Sequence, residues 1–146
     1  KSRKTVIISV GMANLSEIQD AYNILKEKTD RIAILHCVSA YPTSEKDANL
    51  AAIYMLKQRF NCVIGQSDHT NDIQVPLYAA AMGAQILEKH FKINDEMECV
   101  DAPVSITEKQ FSIFCNKLDA FSEMLGEFSV ESLNAEKGTL QYRRFS

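Results

Sequence analysis

The sequence has no run of apolar residues approaching the roughly 20 needed to cross a bilayer, and it opens with nothing like a signal peptide. No membrane contact is expected, and the cysteine usage fits a cytoplasmic location. Neither sign of charge dominates. The formal net charge is −3, which leaves no basic footprint for nucleic acid. Cys37, Cys62, Cys99 and Cys115 form no Cys-x-x-Cys pair and no zinc spacing, so they read as reduced thiols. No Gly-x-Gly-x-x-Gly or Walker loop follows any strand-like run, which argues against Rossmann and P-loop nucleotide binding. There is no initiating methionine either: Lys1 leads almost directly into strand-like residues, as in an excerpt from a longer chain.

What is present is an alternation. The composition is 46% hydrophobic and 24% charged, as in ordinary globular chains. Short apolar runs at Thr5–Ser9, Ile32–His36, Cys62–Gly65 and Gln85–His90 predict strands buried on both faces, as a parallel sheet under helices requires. Helices are predicted near residues 14–29, 46–60, 72–83 and 107–126. Asn14 with Glu17, Asn71 with Gln74 and Thr107 with Gln110 predict capping boxes at three helix starts. Phe111, Phe114, Leu118, Phe121 and Leu125 form one stripe of the last helix and read as core. Residues 127–146 read as a short helix or linker. Four βα units fit an open doubly wound sheet or part of a (β/α)8 barrel, and a whole barrel takes about 250 residues. Half a barrel over residues 1–126 is therefore the favoured fold.

In both architectures chemistry sits at the carboxyl ends of the strands, and there the polar residues collect. Ser9 closes the first strand, with Gly11 after it. His36, Ser39 and Tyr41 follow the second, Ser67-Asp68-His69-Thr70 the third, and Glu88 and His90 close the fourth. Residues two apart on a strand share a face, so Ile86, Glu88 and His90 point into the barrel while Leu87, Lys89 and Phe91 point at the helices. Ser67 and His69 share the inward face. Glu88 would be a costly inward carboxylate unless paired with a cation. Two histidines at adjacent strand mouths form a candidate site for Mn, Fe or Zn, with oxygen neighbours favouring the harder ions. Blander readings stand beside this one. His36 reads better as a hydrogen-bonded structural histidine, Ser67 and Asp68 could cap the next helix, and a Schiff-base role for Lys89 conflicts with its outward parity.

At these same residues the chain resembles the N-acetylneuraminate (sialic acid) synthase family. The resemblance rests on Leu35-His-Cys-Val-Ser-Ala-Tyr-Pro-Thr43, Ile64-Gly-Gln-Ser-Asp-His-Thr70 and Ala81-Met-Gly-Ala-Gln-Ile-Leu-Glu-Lys-His-Phe91, with shorter matches at Ile8–Met12 and Asp47–Leu50. It runs in family order over residues 5 to about 125. It implies strands five to eight of a TIM (β/α)8 barrel that condenses phosphoenolpyruvate with an N-acetylated amino sugar. It further implies that His69 and His90 bind a divalent metal, Mn2+ foremost with Mg2+ or Co2+ as substitutes. Ser9, Ser39 and Ser67 are implied to hold phosphoenolpyruvate, and Tyr41 and Asp101 the amino sugar. Glu88 joins the two histidines as a catalytic candidate.

A bacterial, homodimeric enzyme and a missing antifreeze-like domain beyond residue 146 complete what the resemblance implies. The chain departs from the family pattern at Val10, Ser39, Gln66 and Asp101-Ala-Pro103. Two alternatives remain: a synthase acting on a sugar phosphate, which the lack of Arg or Lys at the strand mouths disfavours, and a non-catalytic ligand-binding barrel subunit.

Overall fold

The computed structural model describes residues 3–144. The four apolar runs become β1 (Val6–Ser9), β2 (Ile32–Cys37), β3 (Val63–Asp68) and β4 (Leu87–Lys89), joined in the order β1-β2-β3-β4 with every neighbour parallel. Consecutive parallel strands require crossovers. These are supplied by α1 (Leu15–Lys28), α2 (Ala51–Arg59) and α3 (Gln74–Ala81). The result is an open, four-stranded parallel α/β half-barrel.

The core lies between sheet and helices. Ile32, Ile34 and Ile64 pack there with Ile18 of α1, Ile53 and Leu56 of α2, and Ala79 of α3. Leu87 joins the same cluster, so the parity expected for β4 holds. Close strand packing depends on Gly65. A Cβ there would lie 2.3 Å from the Ile86 carbonyl oxygen and 2.6 Å from Leu35 Cδ2. The backbone ladder begins two residues ahead of β4, because Gln85 N–H donates to Ile64 O and Gln66 N–H donates to Ile86 O, each at 2.8 Å.

Two of the three expected capping boxes form. The Asn14 side chain accepts the N–H groups of Ser16 and Glu17 while Glu17 accepts that of Asn14. Thr107 and Gln110 do the same for α4 (Glu108–Leu125). The third does not. The α3 N-cap is Ile73, with no side-chain cap, and Asp72 Oδ1 takes the Ile73 N–H instead. Residues 46–60 are also not one helix: a 3-10 turn, Glu45–Asp47, precedes α2.

Past His90 the chain does something the strand pattern did not announce. β5 (Phe91–Lys92) pairs in parallel with β6 (Ile106–Thr107), enclosing an excursion that contains Asp101 and the 3-10 turn Ala102–Val104. Helix α4 then follows, and its aromatic stripe is only partly core. Phe114 is buried, whereas Phe111 and Leu125 are exposed. The sheet ends at β4, and α4 packs against α3 and β6. A 3-10 helix, Asn134–Tyr142, closes the described chain and is exposed throughout. Among the described residues no helix is long and apolar enough to cross a membrane.

Candidate active site

The carboxyl ends of β2, β3 and β4, with the excursion after β5, bring four of the expected site residues to one corner. His69 and His90 stand with ring centroids 5.2 Å apart at an interplanar angle of 61°. Tyr41 lies 4.1 Å from the His69 ring and 5.8 Å from that of His90. Asp101 reaches in from the excursion after β5, its Oδ2 3.6 Å from His90 Nδ1.

His69 is the fixed member. It is buried, and its Nδ1 lies 2.9 Å from the Val38 carbonyl. A carbonyl can only accept, so this contact calls for the tautomer with a proton on Nδ1, in which Nε2 is the acceptor nitrogen of the ring. The same loop is tied again, because Thr43 N–H donates to the His69 carbonyl at 2.9 Å and Thr43 Oγ1 donates to Val38 O and Ala40 O. Tyr41 is thereby carried across the face of His69. The Tyr41 phenol is held above its usual pKa, first by desolvation and then by the negative fields of Cys37, Asp101 and Glu88. It stays protonated and able to donate.

One layer deeper, Ser67 and Glu88 are register partners on the inner face, and Ser67 Oγ donates to Glu88 Oε1 at 2.7 Å. The inward carboxylate therefore takes a hydroxyl partner and is exposed on the open inner face. Ser9 ends β1, two strands from β3, and is exposed. Ser39 lies against the turn after β1. Gly11 takes φ +53° there, and a Cβ on it would meet Ser39 Oγ at 3.5 Å. The expected phosphoenolpyruvate-side residues thus lie along the mouths of three strands, and the sugar-side residues cluster with the histidines.

The blander readings separate cleanly. His36 is structural: it is buried on the helix side, with Nε2 2.8 Å from the Ala48 carbonyl. Ser67 and Asp68 do not cap α3, since Ser67 serves Glu88 and Asp68 accepts from Thr70. Lys89 points to the helix side and its Nζ is engaged by Asp68 Oδ2 at 2.7 Å, which removes it from any Schiff-base role. Sequence reasoning missed Val38 and Thr43 as the supports of His69. Thr43 stands in the quoted Tyr-Pro-Thr run, but its carbonyl partners come from backbone geometry that residue types do not encode.

The donor set suits a transition metal. Two imidazoles bound to one ion at roughly 2.1 Å place their ring centroids roughly 5 Å apart, and the observed separation is 5.2 Å. Among the described residues no group of three or more His, Cys, Asp or Glu side chains gathers around a common point. Two protein ligands are one fewer than the three usual in catalytic zinc sites, so the rest of the coordination sphere would fall to water, substrate or groups beyond these residues.

The model of the NeuB family matches residues 1–130. The chain is 34% identical over 149 residues to N,N'-diacetyllegionaminic acid synthase of Campylobacter jejuni, covering 100% of this chain and 45% of that one. It is 33% identical to pseudaminic acid synthase of Helicobacter pylori, covering 99% of this chain and 42% of the other. Among solved structures, the N-acetylneuraminic acid synthetase of Leptospira borgpetersenii superposes with a TM-score of 0.89 at 38% identity, covering 95% of this chain and 49% of that one. The chain thus spans about half the length of the relatives it matches.

Proposed function

Because the chain belongs to the NeuB family, we propose that it forms strands five to eight of a (β/α)8 synthase barrel. That barrel condenses phosphoenolpyruvate with an N-acylated amino sugar to give a nonulosonic acid and phosphate. The observation that carries this reading is the Tyr41–His69–His90–Asp101 corner, with its histidine rings 5.2 Å apart and the freed Nε2 of His69. The relatives named as legionaminic, pseudaminic and N-acetylneuraminic acid synthases support the reaction class.

In the reaction, carbon 3 of phosphoenolpyruvate forms a bond to the aldehyde carbon of the open-chain sugar. Water adds at carbon 2, and phosphate departs. His69 and His90 would hold a divalent ion, Mn2+ foremost. When bound, such an ion supplies Lewis-acid polarisation of the aldehyde oxygen. Tyr41, protonated, donates to a sugar oxygen, and Asp101 accepts from a sugar hydroxyl; together they orient the aldehyde. Ser9, Ser39 and Ser67 donate hydrogen bonds to phosphate or carboxylate oxygens of phosphoenolpyruvate. The Ser67 hydroxyl donates to Glu88 Oε1 in the free site, so its one proton turns from that carboxylate to phosphoenolpyruvate when the ligand binds. The charge that balances phosphoenolpyruvate comes from the other half of the barrel. The working enzyme is a cytoplasmic homodimer in this reading.

The test is turnover of the full-length protein with phosphoenolpyruvate, Mn2+ and a panel of acceptors. The panel comprises N-acetylmannosamine, 2,4-diacetamido-trideoxyhexoses, arabinose 5-phosphate and erythrose 4-phosphate. Phosphate release and a nonulosonic acid mass with an unphosphorylated amino sugar are expected. Turnover with only the sugar phosphates would move the protein to the other synthase class, and no turnover with any acceptor would leave a binding subunit.

A further inference from the structure

Behind the site, on the helix side of the sheet, Asp68 and Lys89 form an ion pair at 2.7 Å with each side chain 2% exposed. They face each other as register partners, and each immediately precedes one of the two histidines. Asp68 Oδ2 also accepts the Thr70 hydroxyl at 2.7 Å and the Thr70 N–H at 3.3 Å, and Oδ1 accepts from Gln66 Nε2 at 3.3 Å. Lys89 Nζ donates in addition to the Thr70 carbonyl. One carboxylate and one ammonium therefore grip the residues on both sides of His69 and tie them to the residue before His90.

This tie comes where the backbone link runs out. Asp68 and Lys89 are the last paired residues of β3 and β4. Immediately beyond them the His69 carbonyl accepts from Thr43 N–H and the His90 carbonyl from Ile106 N–H, both at 2.9 Å. The two strands part company there.

We propose that the Asp68–Lys89 pair is a positioning device that sets the distance between the His69 and His90 imidazoles. A buried ion pair is a poor choice for stability alone, because desolvation offsets its attraction and apolar replacements of similar volume often fold as well. Its value here is geometric. The two charges, on Asp68 of one strand and Lys89 of the other and both bonded to Thr70, hold the strand mouths at one spacing from behind, without occupying the site. This inference rests on the two histidines sharing a metal ion.

The experiment is Mn2+ binding to the full-length protein, read by the loss of the free-ion electron paramagnetic resonance signal, alongside Tm. Lys89→Met leaves the Asp68 charge buried and should lower both Tm and affinity. The double variant Asp68→Leu/Lys89→Met should recover most of the Tm while its Mn2+ affinity stays about 10- to 100-fold weak, the range for groups that orient metal ligands. Thr70→Val, which keeps the volume and removes one hydroxyl, should fold normally and show a smaller loss of affinity. A double variant that regains affinity together with Tm would overturn the proposal, as would undiminished binding by Thr70→Val and Lys89→Met. Failure of the unmodified protein to bind Mn2+ would overturn the shared-metal reading and this inference with it. Tight binding that is equal in all variants would overturn this inference alone.

Discussion

Tyr41 and Asp101 come from different loops, one after β2 and one after β5, yet both reach the histidine pair. Both are about half exposed, so they are free to meet a ligand that enters from the open end. In the full-length protein Tyr41→Phe and Asp101→Asn should each raise KM for the amino sugar about tenfold, the cost of one hydrogen bond to a buried ligand. The KM for phosphoenolpyruvate should move less than about twofold on the same reasoning. Steady-state kinetics with each substrate varied in turn checks this, and a reversed pattern would exchange the two halves of the pocket. At this scale the sequence was informative where parity decided the outcome. Glu88 inward and Leu87 and Lys89 outward follow from period-two alternation, and the structural reading of His36 agrees with its bond to the Ala48 carbonyl. The partners of Lys89 and His69 were not legible, because Asp68, Val38 and Thr43 reach them through register and loop path, which residue types alone do not specify.

Among the elements, β3 is the one on which the site depends most. It carries Ser67 and Asp68, precedes His69, and pairs with both β2 and β4. Gly65 allows that double pairing, since a Cβ would collide with the Ile86 carbonyl and with Leu35. Gly65→Ala should therefore cost about 1–3 kcal/mol, as overpacking does in a filled core. Urea denaturation of the full-length protein would measure it. A neutral substitution would mean that β4 can shift outward without penalty, and the histidine spacing would then not be rigid. Helices α1 and α4 were readable because their capping residues stand beside clear apolar periodicity. Helix α3 was misread at its start: Asn71 and Gln74 have the right spacing, but Asp68 and Thr70 form a local turn that delays the helix to Gln74. The β5–β6 pair was not legible at all. Two-residue strands leave too few alternations for any periodicity to register.

For the molecule as a whole, the sheet is open at both ends, with β1 on one side and β4 on the other. Ile7 of β1 is exposed, as are Phe111 and Leu125 of α4. Apolar surface next to unpaired strand edges favours association with other chains. Residues 1–146 expressed alone should self-associate and make no product even with Mn2+ present, as size-exclusion chromatography and a product assay would show. A monomeric, active segment would contradict the half-barrel account. The alternation of strands and helices made this architecture legible, while the partial exposure of the α4 stripe follows only from where the sheet stops.

The central claim is that His69 and His90 share one divalent ion at the mouth of the barrel. Anomalous scattering at the manganese edge, from crystals of the full-length protein grown with Mn2+, tests it directly. The account predicts one peak between the two rings, about 2.0–2.3 Å from one nitrogen of each, with His69 bound through Nε2. A peak held by other residues, or none at a concentration that supports turnover, would contradict it.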